Sequence, residues 1–210
     1  MPKLKAIVTS GPTRERLDPV RYISNYSSGK QGHAIAAALA KKGFEVTLIS
    51  GHVNLPEIVG VKVIHVESAV EMLEACEKSL PVNVAIFAAA VSDWRAEKIS
   101  PHKLKKEDGE DIQQITLVKN PDILATISRH KKRPKLVIGF AAETENLVEN
   151  SVKKLHSKGC DWILANDVGQ GVFGKDDNQI TLISKIGIEP WPKMSKKEVA
   201  EKLVATIMNK

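Results

Sequence analysis

Residues 11–32 read GPTRERLDPVRYISNYSSGKQG, and the side chains gathered there suit the binding of an anion. The stretch leads into an amphipathic helix, HAIAAALAKKG, whose first turn is expected to hold Ser27, Ser28, Gly29 and Gly32. Free N–H groups and the helix dipole favour phosphate at such a start. Arg14, Arg16, Arg21, Asn25 and two prolines lie in the same turn, which is too long and too rich in special side chains to be a mere connector.

The common phosphate motifs do not fit. The dinucleotide fingerprint G-x-G-x-x-G is absent, and the second strand ends Ile49-Ser50-Gly51 with no acid for a ribose hydroxyl. Gly29-Lys30 is followed by Gln31, and Ser24 stands in place of the first P-loop glycine, so that motif fails as well. A second basic group follows in KISPHKLKK, with Lys103, Lys105 and Lys106 just beyond Asp93. It reads either as a solvated basic loop or as a lysine flap that neutralises leaving-group charge on a triphosphate. Glu107, Asp108, Glu110 and Asp111 come directly after it, so it is no broad nucleic-acid patch.

These residues need a frame, and the chain supplies one by alternation. Strands are expected at Lys5–Ser10, Glu45–Ser50, Val61–Val66, Val84–Ala89, Lys135–Ala141, Asp161–Ala165 and Gln179–Ser184. Helices are expected from about Ser28 to Lys42, after a Ser68 cap, from Asn120 or Pro121, over Leu147–Lys158, and over Ser195–Met208. Strands that are near-continuous runs of Val, Ile, Leu and Ala imply a buried, mostly parallel sheet covered on both faces. Right-handed crossovers then give an α/β, three-layer Rossmann-like fold, a single domain over residues 1–210. Trp94–Val118 and Val168–Trp191 interrupt the alternation, and either is expected to form a flap or small β extension. Small residues with Asp, Asn or Glu follow several strands, as in AAAVSDWR, AAET and ANDV, which is the composition of a nucleotide pocket at the strands' carboxyl ends.

Bulk properties narrow the class. A chain of 210 residues with 42% hydrophobic and 27% charged residues is that of a globular protein. No apolar run approaches the roughly 20 residues of a membrane span, and the first residues show no secretory pattern, so a cytoplasmic protein without membrane contact is expected. The net charge of +6 permits an anionic ligand, while the 4% aromatic content argues against stacking on nucleic acid. Cys76 and Cys160 form no paired motif, and the six histidines show no metal-ligand spacing.

GPTRE-x-LDPVRYISN-x-SSGKxG, AAAVSDWR, KLKK, VKNPDIL, GFAAET and AND-V resemble, in order, the motifs of bacterial phosphopantothenoylcysteine synthetase, from about Ile7 to Ser184. The family's fold is often fused behind a flavin-dependent decarboxylase. This chain's own Met1 suggests the stand-alone form or an excised domain, with association to such a decarboxylase as a further possibility. The resemblance implies a ligase of coenzyme A biosynthesis. In it, the carboxylate of 4′-phosphopantothenate attacks the α-phosphate of CTP, and the amine of L-cysteine then displaces CMP from the acyl-cytidylate. Mg²⁺ (or Mn²⁺) is the implied cofactor and CTP, rather than ATP, the implied co-substrate.

The resemblance also assigns residues. Gly11, Ser28 and Gly29 would hold phosphate oxygens, and Ala90 would let the nucleotide approach. Asp93 would position the metal ion; its plainer reading is a helix cap or a partner for Arg95. Lys103 would carry the acyl-cytidylate to product, and Lys106 and Lys119 would meet the triphosphate. Asn120, Pro121 and Asp122 would line the cytosine edge, though they also read as a simple helix start. Asn25 would form and hold the acyl-cytidylate, and Arg21 would grip the substrate carboxylate or phosphate. A homodimer is implied, and Lys175 departs from the family's usual small residue. Two other readings compete: a short-chain NAD(P) oxidoreductase, whose glycine fingerprint is absent here, and a non-catalytic nucleotide-binding module.

Overall fold

Alternate residues of each central strand point to opposite faces, and in this chain both faces are apolar. In β1 (Lys5–Ser10) Ala6 and Val8 enter one core while Ile7 enters the other; in β9 (Leu136–Glu143) Leu136 and Ile138 are divided from Val137 in the same way. The sheet must therefore be covered twice. The structure, a computed structural model, describes residues 3–105, 112–167 and 177–210.

In chain order the other elements are β2 (Arg14–Arg16), β3 (Tyr22–Ser24), α1 (Lys30–Lys41), β4 (Glu45–Ser50), β5 (Val61–His65), α2 (Ala69–Lys78), β6 (Val84–Phe87), β7 (Trp94–Ala96), β8 (Leu117–Lys119) and α3 (Ile123–Ser128). After β9 come α4 (Leu147–Lys158), β10 (Trp162–Asp167), β11 (Asp177–Asn178), β12 (Ile180–Ser184), β13 (Gly187–Pro190), β14 (Met194–Ser195) and α5 (Lys196–Met208). The main sheet runs β13-β12-β10-β9-β6-β1-β4-β5, with the six strands from β10 to β5 parallel and β12 and β13 antiparallel at one edge. Ile35, Leu39, Leu203 and Ile207 of α1 and α5 fill one core; Met72, Leu124, Ile127 and Leu155 of α2, α3 and α4 fill the other. The expected three-layer, Rossmann-like α/β fold is what forms.

Several boundaries differ from the expectation. Helix α1 begins at Lys30 and not at Ser28, because Gly29 takes a left-handed conformation (φ 70°) that a helix interior excludes. Ser27 and Ser28 thus precede the helix. Helix α3 begins after Asp122, whose carboxylate accepts the Ala125 amide at 2.9 Å; Asn120 and Pro121 lie outside it. The segment Trp94–Val118 contributes the antiparallel ribbon β7–β8, and Val168–Trp191 contributes β11, β12 and β13. Lys106 and Lys175 lie outside the described residues.

The centre of the sheet fixes the site. Strand order reverses at β1, between β4 and β6, which is where α/β sheets open a crevice for ligands. The turn leaving β1 is pressed into that crevice: a Cβ added to Gly51, just past β4, would stand 2.0 Å from the Pro12 carbonyl oxygen. We expect Gly51→Ala to destabilise the fold by roughly 2–3 kcal/mol, since neither backbone can yield without moving a sheet strand. Urea unfolding of the variant checks this, and a change within about 0.5 kcal/mol would mean the turn is free to shift.

Candidate active site

The segment that follows β6 is laced to the turn that follows β1. Ala88 N donates to Thr9 O at 3.2 Å, Ala90 N to Gly11 O at 2.9 Å, and Thr13 N to Ala90 O at 3.3 Å. Ser92 N then donates to the Thr13 hydroxyl at 3.0 Å. Ala90 is thereby held backbone to backbone against Pro12, and Asp93 is delivered to the mouth of a cleft of about 550 Å³. Thr9, Phe87 and Phe140 form apolar walls of that cleft, and Lys119, Asn120, Pro121 and Asp122 border it. Such a cavity, with apolar walls on one side and convergent polar and charged groups on the other, is of the kind that takes a small polar ligand.

Each polar residue has a definite anchor. Asn120 donates its side-chain amide to Ser92 O at 2.9 Å and its backbone N–H to Asp93 O at 2.8 Å. Arg95 binds Lys119 O at 2.5 Å and Asn120 Oδ1 at 3.3 Å, so its guanidinium is directed away from Asp93. Among the described residues no ion pair joins Asp93 to Arg95, and Asp93 caps no helix; its exposed carboxylate is left facing the cleft. Asp122 caps α3 with one oxygen and pairs with Lys158 through the other.

Helix α4 supplies what the sequence reading missed. Lys154 and Lys158, one turn apart, both line the cleft. Burial lowers the Lys154 pKa and Lys158 adds to the effect, while Glu143, Asp122 and Asp93 oppose it. The signal lay in KKLHSK, where an i,i+4 lysine pair follows a strand ending in small residues, but surface helices carry such pairs routinely. Phe140, too, was read only as a strand residue.

The second part of the expected site lies on the α1 side. Gly11 (φ 74°) and Gly29 meet closely, since a Cβ on Gly29 would come 3.3 Å from Gly11 Cα. Gly29 O accepts from the Ser10 hydroxyl at 2.8 Å, and Ser28 is exposed beside it, ahead of an α1 first turn free of acidic residues. Gly11, Ser28 and Gly29 are brought together, but they are not among the residues that line the 550 Å³ cleft. Asn25 is close to it, donating its amide to Val91 O at 3.1 Å. Arg21 is engaged within the chain, with Asp18 at 2.6 Å and Leu104 O at 2.5 Å, and Lys103 is exposed immediately before that contact.

No group of three His, Cys, Asp or Glu among the described residues is placed to cage a metal ion. Asp93 is the free carboxylate in a cleft lined by lysines, a donor set that suits a magnesium ion brought in on phosphate oxygens rather than one held by protein alone.

Comparison with known proteins agrees with the fold described above. A profile of the DNA/pantothenate metabolism flavoprotein C-terminal domain matches residues 1–210. The chain belongs to that family. It is 46% identical over 209 residues to the coenzyme A biosynthesis bifunctional protein CoaBC of Haemophilus influenzae, covering 99% of this chain and 52% of the relative. The chain thus spans about half the length of the curated relatives it matches. Among solved structures, the C-terminal domain of a CoaBC protein superposes with a TM-score of 0.82 at 39% identity, over 97% of this chain and 93% of that one. The DNA/pantothenate metabolism flavoprotein from Streptococcus pneumoniae gives 0.83 at 25% identity, over 98% and 99%. Membership fits the fold.

The lowered Lys154 pKa has a testable sign. Its folded value lies below the unfolded one, so the charged lysine costs stability at every pH below the folded value, and the cost fades as pH rises through it. Lys154→Met is therefore expected to raise the melting temperature of the ligand-free protein at pH 7 while weakening its binding of inorganic triphosphate. Calorimetry measures both, and a lower melting temperature would show that Lys154 is held by its acidic neighbours rather than strained by burial.

Proposed function

We propose that the chain is a phosphopantothenate–cysteine ligase, which activates a carboxylate with CTP and transfers the acyl group to the amine of L-cysteine. The observation that carries the reading is the meeting of two sets of groups on one laced crevice. Asp93, Lys119, Lys154 and Lys158 surround a cleft suited to a nucleotide triphosphate, and Asn25 bonds to Val91 at its wall. The family's relatives named for coenzyme A biosynthesis weigh against the short-chain oxidoreductase and against a module without catalysis.

In the first step a carboxylate oxygen of 4′-phosphopantothenate attacks the α-phosphorus of CTP, and the bond to pyrophosphate breaks. Charge builds on the leaving group, and Lys119 and Lys154 are disposed to meet it, a part that the sequence motif assigns to Lys106 as well. Mg²⁺ or Mn²⁺ held through Asp93 supplies further neutralisation when bound. Asn25 donates to the acyl oxygen without adding charge. Asn120, Pro121 and Asp122 read the base edge, and Ala90 gives the nucleotide room. Gly11, Ser28 and Gly29 present backbone donors to phosphate at the start of α1.

In the second step the cysteine amine attacks the acyl carbon. The C–N bond forms, the C–O bond to CMP breaks with its electron pair, and a proton leaves the amine for solvent. Lys103 stabilises the oxyanion that this attack creates. Arg21 has five N–H donors, more than Asp18 and Leu104 engage, so it can still orient an anion of the substrate. Exposed Val20, Tyr22, Tyr26 and Ile99 cluster in sequence around these groups, and they suit contact with a second copy of the chain. A homodimer, a decarboxylase partner and a cytoplasmic setting belong to the same reading.

The decisive measurement is pyrophosphate release from protein mixed with 4′-phosphopantothenate, Mg²⁺ and CTP, repeated with ATP. Substrate-dependent release with CTP is expected, and none with either nucleotide refutes the reading. With cysteine present, Lys103→Gln should accumulate the acyl-cytidylate, whereas Asn25→Asp should lose it. Mass spectrometry of quenched reactions distinguishes the two.

A further inference from the structure

Asp18 has no part in the chemistry described so far, yet few residues of the chain are so heavily engaged. Its side chain is fully shielded from solvent, and a carboxylate in that condition needs partners. Oδ1 accepts the Val20 and Arg21 amides, each at 2.8 Å. Oδ2 accepts Arg21 Nε at 2.8 Å and the Leu104 amide at 3.0 Å. Three of these bonds are local and close a turn. The fourth reaches the residue directly after Lys103.

Arg21 completes the tie. Held by Asp18, it donates to the Leu104 carbonyl at 2.5 Å, so one ion pair satisfies both backbone polar groups of Leu104. Upstream, the Ser100 amide donates to Leu17 O at 2.9 Å, one residue before Asp18. Lys103 therefore sits on a short span fastened at both ends to residues 17–21. Turn closure alone explains the Val20 and Arg21 amides, but not a charged group whose second oxygen is turned to a segment so distant in sequence.

We propose that Asp18 is a positioning residue for the acyl-transfer step, setting the backbone of Lys103 through Leu104 and the guanidinium of Arg21 in one fixed relation. The inference rests on the ligase reading given above. A lysine on a pinned span samples fewer positions, and correct placement of a group that meets the reacting carbonyl is where rate is gained or lost. Burial alone would raise the carboxyl's affinity for protons, but the Val20 and Leu104 amides and the Arg21 guanidinium outweigh it and hold the group well below the usual carboxylate range. The anchor therefore stays charged at any pH near neutrality. The cleft proposed for CTP is lined by neither Asp18 nor Arg21, so binding of the nucleotide does not depend on the anchor.

The test separates the two half-reactions in wild type, Asp18→Asn and Asp18→Glu. Pyrophosphate release without cysteine reports the first, and single-turnover formation of product after cysteine is added reports the second. Asp18→Asn is expected to keep its affinity for CTP and, at saturating 4′-phosphopantothenate, its pyrophosphate burst within about twofold. Acyl transfer should slow by about 10²-fold, with acyl-cytidylate accumulating and the Leu104 amide losing its protection from hydrogen exchange. A substitution that merely loosened the fold would depress both half-reactions together, and that result overturns the proposal. So does acyl transfer at the wild-type rate in any soluble variant. Asp18→Glu keeps the charge but displaces it by one methylene, and it must show the same selective loss, which preserves the test if Asp18→Asn fails to fold. Absence of a pyrophosphate burst in wild type would instead count against the ligase reading itself.

Discussion

The turn that leaves β1 is squeezed from both sides, and the candidate site follows from that squeeze. On the β4 side Gly51 has no side chain, and only its absence lets the Pro12 carbonyl lie where it does. On the β6 side, backbone groups of Ala88 and Ala90 alternate with those of Thr9, Gly11 and Thr13, continuing the sheet's pairing past the end of the strands, and the Thr13 hydroxyl takes the Ser92 amide beyond them. Backbone polar groups in a buried crevice must find partners, and these find each other. Because the lacing is made mainly by backbone, it leaves the Asp93 carboxylate out of the pairing and gives the Asn25 amide a carbonyl, that of Val91, to lean on.

The cleft's electrostatics are uneven by construction. Lys154 is partly desolvated on α4, Lys158 is matched by Asp122, and Lys119 stands over the Trp94 ring. Burial holds the Lys154 cation at a disadvantage that its acidic neighbours only partly offset, and a polyanion relieves it. Rigid walls and under-compensated cations make the binding surface ready before any ligand arrives.

Much of this was legible beforehand. The apolar runs that became β1, β4, β6 and β10 announce a doubly covered sheet, and the chemistry-bearing stretches fall after them, as the strand-end rule requires. What escaped was governed by contacts distant in sequence or by competition between equivalent groups. Asn120 and Asp122 are both good caps, and Asp122 takes α3 while the Asn120 side-chain oxygen accepts from Arg95 and its amide is drawn to Ser92 O. Lys154 and Lys158 look like ordinary surface lysines until α4 is laid across β9 and β10. Arg21 reads as a free substrate grip, yet Leu104, 83 residues away, already shares it. Ser28 reads as helix, yet a left-handed Gly29 shifts the start of α1 by two residues.

The three tryptophans are distributed in a way that gives the molecule its own optical readout. Trp162 and Trp191 are both buried in the core that α1 and α5 cover, whereas Trp94 is 45% exposed at the lip of the cleft with the Lys119 ammonium 5.9 Å from its ring. Indole emission responds to nearby charge and to water. Ligand arrival is thus seen by one indole and loss of the core by the other two, so occupancy and integrity can be followed in a single unlabelled sample.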